Sequence, residues 1–212
     1  MLSVADKLKI SETIKAVENK TSGEIVTVIT HSSDDYFYFP LMWAAALALV
    51  FPAIYYCVDA ALAFFSSWLH FAFMPLYLAQ VGIFAAIMLL AQWQTIKIRL
   101  VPKSIQKQIV KRLAYEQFYA QGLHLTRART GVLIFVSEME HVVEIIADAG
   151  IHAKVSAQFW QQIVAEFVAH VKAGQVAEGY IQAITQCGAE LIKHFPRPAD
   201  DSNELPNHLV EL

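Results

Sequence analysis

From Leu41 to Gln94 the chain is apolar almost without interruption, and neither Lys nor Arg occurs between Thr21 and Ile96. From Tyr36 to Ile96 the only carboxylate is Asp59. A bilayer core about 30 Å thick takes about 20 apolar residues per helix, so this stretch has the length of two crossings and a short turn. The whole chain of 212 residues is 56% hydrophobic and 17% charged, with a mean hydropathy of +0.42. That is too apolar for an ordinary soluble protein, and the excess is local.

The spacing places the first crossing at 39–58 and the second at 72–93. Between them DAALAFFSSWLHF supplies Asp59, Ser66, Ser67 and His70 for a turn at the far interface. Pro75 suits the first turn of the second helix, where a missing N–H costs nothing. Tyr36, Tyr38 and Trp43 fall near one water boundary, Trp68 near the other and Trp93 back at the first, as aromatic belts require. Lys97, Arg99, Lys103, Lys107, Lys111 and Arg112 follow the second crossing, whereas the turn carries no base. The positive-inside rule then puts both ends of the hairpin, and both termini, on the cytoplasmic side of a bacterial-type inner membrane. Asp59, next to the turn and without a basic partner in either span, reads as a hydrated interfacial group rather than an ion path.

Other classes are excluded by simple features. MLSVADKLKISETIKAVENK is charged and amphipathic, unlike a secretory signal peptide. Cys57 and Cys187 form no CxxC pair and imply no disulfide framework. A formal net charge of −3 leaves no nucleic-acid footprint.

On either side of the apolar stretch the periodicity is that of a water-soluble α/β domain. Ser3 and Asp6 make a capping signal, followed by a helical face of Val4, Leu8, Ile10, Ile14 and Val17 that stops before Gly23. EIVTVIT, Glu24 to Thr30, is rich in β-branched residues and reads as a buried strand. Ser104 to Gln121 is a second helix with Ile105, Ile109 and Leu113 at a spacing of four, ended by Gly122. GVLIFVS (131–137) and HVVEIIAD (141–148), separated by three residues, form an antiparallel hairpin. Two helices close the domain: Val155 to Ala173, with Phe159, Ile163, Phe167 and Val171, and Gln175 to His194, with Tyr180, Ile184, Cys187 and Leu191. Trp160, beside Phe159, is expected in the core. The first two strands, joined through a helix, should be parallel. The predicted class is α/β, a small mixed sheet sandwiched by helices and interrupted after its first strand by a transmembrane hairpin. Its divisions are 1–35, 36–96, 97–195 and an acidic tail, 196–212.

The first helix, TSGEIVTVIT, GVLIFVS with VVEIIAD, and the paired helices after them resemble the TPM domain family, known from a thylakoid lumen protein, a photosystem II repair factor and an acetylcholine-receptor modulator. The resemblance covers about 3–30 and 103–195. It implies a small sheet between helices, and activities proposed for members: acid phosphatase, binding of calcium or another divalent ion, and assistance to membrane complexes. The glycine-rich acidic stretch common in the family after the third strand is DAGIHAK here, 148–154.

The topology sorts polar residues onto two opposite edges. At one, Asp34 and Asp35 should meet Glu138, Glu140 and His141, oxygen and nitrogen donors that could hold calcium or magnesium; a solvated acidic turn is the plainer reading. At the other, Arg127, Arg129 and His152 could hold an anion near Asp148, helped by a helix N-terminus; an Asp148–Arg ion pair is the plainer reading there. Asp34 and Asp148 should lie at opposite ends of the sheet. The Pro-containing tail reads either as disorder or as an extended segment docking Glu204, Leu205 and Pro206 on a partner or on the domain itself. No hydrolase, P-loop, dinucleotide or zinc-protease signature occurs. The expectation is a non-enzymatic adaptor or assembly and repair factor for another membrane protein, the alternative a weak metal-dependent phosphatase or calcium-binding module.

Overall fold

Ser3 opens the first helix as its spacing to Asp6 predicts: its hydroxyl accepts the Asp6 N–H at 3.1 Å, and the Asp6 carboxylate accepts the Ser3 N–H at 3.2 Å. This is a computed structural model, and it describes residues 2–62, 73–198, 200 and 204–212. Its helices are α1 Val4–Glu18, α2 Tyr38–Leu62, α3 Phe73–Leu90, α4 Gln94–Arg99, α5 Lys103–Ala120, α6 Ala149–His152, α7 Ala157–Lys172 and α8 Val176–His194. The strands are β1 Glu24–Thr30, β2 Gly131–Ser137, β3 Val142–Ala147 and β4 Leu209–Glu211. The chain divides into two compact units: Met1–Asp34 with Ser104–Leu212, and Asp35–Lys103.

The first unit is built on a four-stranded sheet of order β3-β2-β1-β4. β1 and β2 run parallel, Glu24 opposite Gly131 through Thr30 opposite Ser137. β3 returns antiparallel, and β4 adds parallel to the other side of β1. Side chains alternate across β1 and β2. Ile25, Ile29, Val132, Ile134 and Val136 join the core formed with α1, α7 and α8, while Val26, Val28, Leu133 and Phe135 join that formed with α5. Each large apolar side chain buried in this way contributes about 1.5–3 kcal/mol relative to exposure. Trp160 lies in the first core, 9% exposed. Gly122 (φ 74°) and Gly174 (φ 75°) follow α5 and α7 in left-handed backbone, the conformation that ends a helix most easily at glycine.

Two expectations need correction. Val4 and Leu8 are not part of the buried face of α1, being 83% and 60% exposed; that face is Ile10, Ile14 and Glu18. On α5 the fully buried stripe is Gln106, Val110, Ala114 and Phe118, with Ile105, Ile109 and Leu113 only half-buried beside it. The helix is therefore rotated by one residue, about 100°, from the expected register. Of the two readings of the tail, the extended segment docking on the domain is the one found: its described end supplies β4 and packs Leu205 and Val210 on the α5 side of the sheet. The α6 turn was also unforeseen, and the last long helical segment before Gly174 starts at Ala157 behind a Ser156 cap.

Thr27 lies between Ile25 and Ile29 on β1, fully buried, and its hydroxyl has no hydrogen-bond partner among the described residues. Desolvating a hydroxyl without compensation costs about 1–3 kcal/mol, and valine has the same shape. Thr27→Val is therefore expected to raise the midpoint of thermal unfolding, by about 1 kcal/mol in stability. An unchanged or lowered midpoint would show that the hydroxyl is satisfied in solution.

In the second unit α2 and α3 pack on each other, with Ala44, Ala48 and Ala91 buried. A small cleft lined by Phe37, Pro40, Met88, Ala91, Gln92 and Lys97 sets the start of α2 beside the end of α3. Small residues let the helices approach closely, while Leu41, Met42, Leu49, Ile54, Leu78 and Leu89 point outward. Among the described residues one helix, Tyr38–Ala61, is long and apolar enough to cross a membrane, at a mean hydropathy of 2.0. Only 11% of its most apolar window is buried, which a core helix of a soluble protein would not tolerate. α2 passes through Asp59 to Leu62, beyond the expected end at Val58. α3 is shorter than expected, and Trp93 precedes α4. The expected turn residues Ser66, Ser67 and His70, the boundary residue Trp68 and the expected start of the second span at Ala72 lie outside the described residues. Lys97 pairs with Asp35 at 3.6 Å, and the Trp43 indole N–H donates to the Leu100 carbonyl at 3.1 Å.

Candidate functional site

The parallel pairing of β1 with β2 brings the segment after Thr30 beside the β2–β3 turn, so the first expected cluster assembles in part. Glu140 is buried at its centre. One carboxylate oxygen accepts the Ser33 N–H at 2.9 Å and faces the Ser32 hydroxyl at 3.4 Å, and the other accepts the Ser137 hydroxyl. Ser33 in turn donates from its hydroxyl to Ser137 Oγ at 2.8 Å. Glu138 lies 3.5 Å from His31 Nδ1. His141 is exposed with φ 53° and closes the turn through its backbone, donating its N–H to the Glu138 carbonyl. The Asp34 carbonyl accepts the Ser32 hydroxyl, and Asp35 belongs to the other unit, where it faces Lys97. Glu140 thus ties the end of β1 to the hairpin. Among the described residues no group of three or more His, Cys, Asp or Glu side chains is placed to hold a metal ion. The expected calcium or magnesium set is not brought together.

At the opposite end of the sheet, as the topology requires, Asp148 follows β3. It caps α6, accepting the Ala149 N–H at 2.6 Å, and receives two bonds from the Arg129 guanidinium at 2.6 and 2.9 Å. Burial pushes its pKa up, but the Arg129 bonds, the Ala149 N–H and the guanidinium charge outweigh it and hold the carboxyl below its ordinary value. Gly150 makes this packing possible, because a Cβ there would meet the Arg129 carbonyl oxygen at 2.7 Å. Arg127 turns instead to the tail: its N–H donates to Glu204 at 3.2 Å and its guanidinium lies 3.8 Å from Asp200. His152 is exposed at the end of α6. The first turn of α7, whose dipole was expected to help bind an anion, is capped by the Ser156 hydroxyl. The two arginines are thus engaged with carboxylates of the same unit rather than gathered around an empty centre.

Asp148→Asn keeps the shape and removes the charge. It is expected to lower the thermal midpoint by about 2–4 °C near neutral pH, since Arg129 is more than half solvent-exposed and the pair is partly screened. The contribution of Asp148 is present above the ordinary aspartate pKa and fades as pH falls through its lowered value in the fold. The variant and the native protein should therefore converge in strong acid, as thermal unfolding across pH would show.

Two residues of this edge carry chemistry that sequence reading missed: Glu18 and Asn207. β4 spans only Thr27 to Ile29 of β1, so the N-terminal part of that strand lacks a neighbour on this side. Glu18 fills the gap, accepting the Ile25 N–H at 2.8 Å, while its other oxygen accepts from the Asn207 amide. Glu24 accepts the Glu204 N–H at 3.1 Å. Burial, with Glu24 close by, pushes the Glu18 carboxyl up to about 8 despite the bonds from Ile25 and Asn207. At neutral pH it is therefore mostly a neutral acid. The tail candidates Glu204 and Leu205 dock on the domain itself; Pro206 is exposed between them and Asn207. A signal for Glu18 existed in the sequence, since it continues the Ile10, Ile14 stripe at the same spacing of four.

Fold and sequence point to one family. The TPM domain profile matches residues 85–190, half of the chain, and the chain belongs to the TPM domain family. Among solved structures, the NMR structure of the BA42 protein from the psychrophilic bacterium Bizionia argentinensis superposes with a TM-score of 0.59 at 20% identity, covering 100% of this chain and 96% of that one. That likeness is one of fold. No curated protein matches the sequence.

Proposed function

We propose that this chain is a membrane-held TPM module that works by binding, as an adaptor or as an assembly or repair factor for another membrane protein. The observation that carries the reading is the apolar, outward-facing helix Tyr38–Ala61, inserted between β1 and the rest of the TPM fold. In this reading α2 and α3 cross a bacterial-type inner membrane as a hairpin, and both ends of the chain stay in the cytoplasm. The bases from Lys97 to Arg112 support that orientation. Binding is favoured over catalysis because Glu140, Asp148, Arg129 and Glu18 are each engaged in bonds that hold the fold together.

Crosslinking in native membranes, followed by mass spectrometry, tests the proposal. A single membrane protein trapped in stoichiometric amount supports it. Monomer alone across several crosslinkers sinks it. Metal-dependent phosphate-ester hydrolysis by the purified full chain, lost in Asp34→Asn, would turn the case to a phosphatase. Reporter fusions at Ser67 and Leu212 should report opposite compartments; the same compartment would remove the hairpin.

A further inference from the structure

We infer that the solvent face of α5 is a docking surface for anionic phospholipid head groups, so that the TPM unit lies against the charged leaflet as well as being tethered to it. The inference rests on the membrane reading above and adds a second, electrostatic contact to it.

The charge of this chain is unevenly placed. Six of its sixteen bases fall in the sixteen residues from Lys97 to Arg112, leaving ten bases against nineteen carboxylates in the rest of a chain whose net charge is −3. No carboxylate occurs from Ala60 through Tyr115. α5 carries four of these bases on a helix about 27 Å long. Its buried stripe, Gln106 to Phe118, is committed to the sheet. About 100° round the helix from that stripe, its exposed flank carries Lys107, Lys111, Tyr115 and Tyr119, the tyrosines 44% and 59% exposed, with Lys103 before them and Arg112 beside them, both exposed.

Among the described residues, two carboxylates, Glu116 and Glu144, interact with bases of α5. Glu116 pairs with Arg112 at 3.6 Å, both exposed, a contact of the kind that is worth little in water. Glu144 of β3 is half-buried near Lys111 and Lys107; desolvation raises its pKa, and the two lysines oppose the rise. The net field of the face is positive. Clustered lysines and arginines beside an apolar crossing are attracted to the negative surface of an anionic leaflet, and tyrosines favour head-group depth. Because the apolar stripe of α5 is already used by the sheet, the helix would rest on head groups through charge and tyrosine rather than sink into the acyl layer. Bases that served only to orient the chain during insertion would give no such contact in the finished protein.

Reconstituting the full chain in nanodiscs tests this. One set is made of phosphatidylcholine alone and one with about 30% phosphatidylglycerol, and each is acetylated at lysine and read by mass spectrometry. Lys15 and Lys172, exposed elsewhere on the unit, serve as references. Relative to them, Lys107 and Lys111 should react at least about fivefold more slowly in the anionic discs, with the protection lost near 0.5 M salt, where screening shortens to a few ångströms. Equal relative rates in the two lipids overturn the inference and leave the bilayer anchor standing. A chain that fails to co-elute with either disc overturns the anchor, and this contact with it.

Discussion

Replacing Glu18 by glutamine is expected to flatten the dependence of stability on pH between about 5 and 8. In the unfolded chain Glu18 has an ordinary carboxyl; in the fold its pKa rises to about 8. Between those two values the folded state holds a proton that the unfolded state has released, so stability falls as pH rises through the window. The stability is fully present below the unfolded value and lost as pH rises through the folded one. A shift of this size corresponds to roughly 2–4 kcal/mol by pH 8. Glutamine copies the neutral acid: its carbonyl oxygen accepts from Ile25, and its amide N–H donates to the Asn207 oxygen once that side chain turns over. The variant should match the native chain near pH 5 and unfold at a clearly higher temperature at pH 8, measured on the full chain in mild detergent. Parallel pH profiles for the two proteins would mean that Glu18 is ionised in the fold.

The second large effect lies at Gly179. Alanine is ordinarily a better helix former than glycine, by about 1 kcal/mol. At this position of α8 a Cβ would overlap the Phe167 ring at Cδ2 and Cε2 and meet the His170 Cβ at 3.1 Å. The Phe167 ring is buried against Tyr180, whose hydroxyl donates to the Val28 carbonyl at 2.6 Å, so it has little freedom to move aside. Overpacking of this kind costs about 1–3 kcal/mol and sometimes more, and a β-branched residue adds its own helix penalty. Gly179→Val should therefore lower stability by about 3 kcal/mol. Shrinking the obstacle should recover part of it, so Gly179→Val with Phe167→Leu is expected to be more stable than Gly179→Val alone. Additive losses in the double variant would place the damage elsewhere than this contact.

How far the chain could be read in advance differs from element to element. β1 and β2 were legible to the residue because their β-branched runs, EIVTVIT and GVLIFVS, end at turn residues on both sides. The ends of α5 and α7 were legible in Gly122 and Gly174. The rotation of α5 was not, because its apolar residues form two adjacent stripes and the sheet selects the one containing Gln106 and the small Ala114. β4 was hidden for a different reason. Three residues in an acidic, proline-rich tail carry no local strand signal; they become a strand only because β1 offers them an open edge. The two polar edges were placed correctly by topology, but their internal bonding was not. A pairing rule brings Glu138 and Glu140 near Ser33 and separates Asp148 from Asp34. It does not foretell that serine hydroxyls and a backbone N–H would take up Glu140, or that Glu18 would be drawn in to complete β1.

The strand order has a consequence for the making of the protein. β1 lies between β2 and β4, whose paired residues begin at Gly131 and Leu209, so every strand that will cover its edges is still untranslated when it leaves the ribosome. At about 5–20 residues per second the first of them follows roughly 5 to 20 seconds later, after the most apolar part of the chain has emerged. Throughout that interval EIVTVIT is an unpaired strand segment, the kind of exposed edge through which newborn copies of a chain associate.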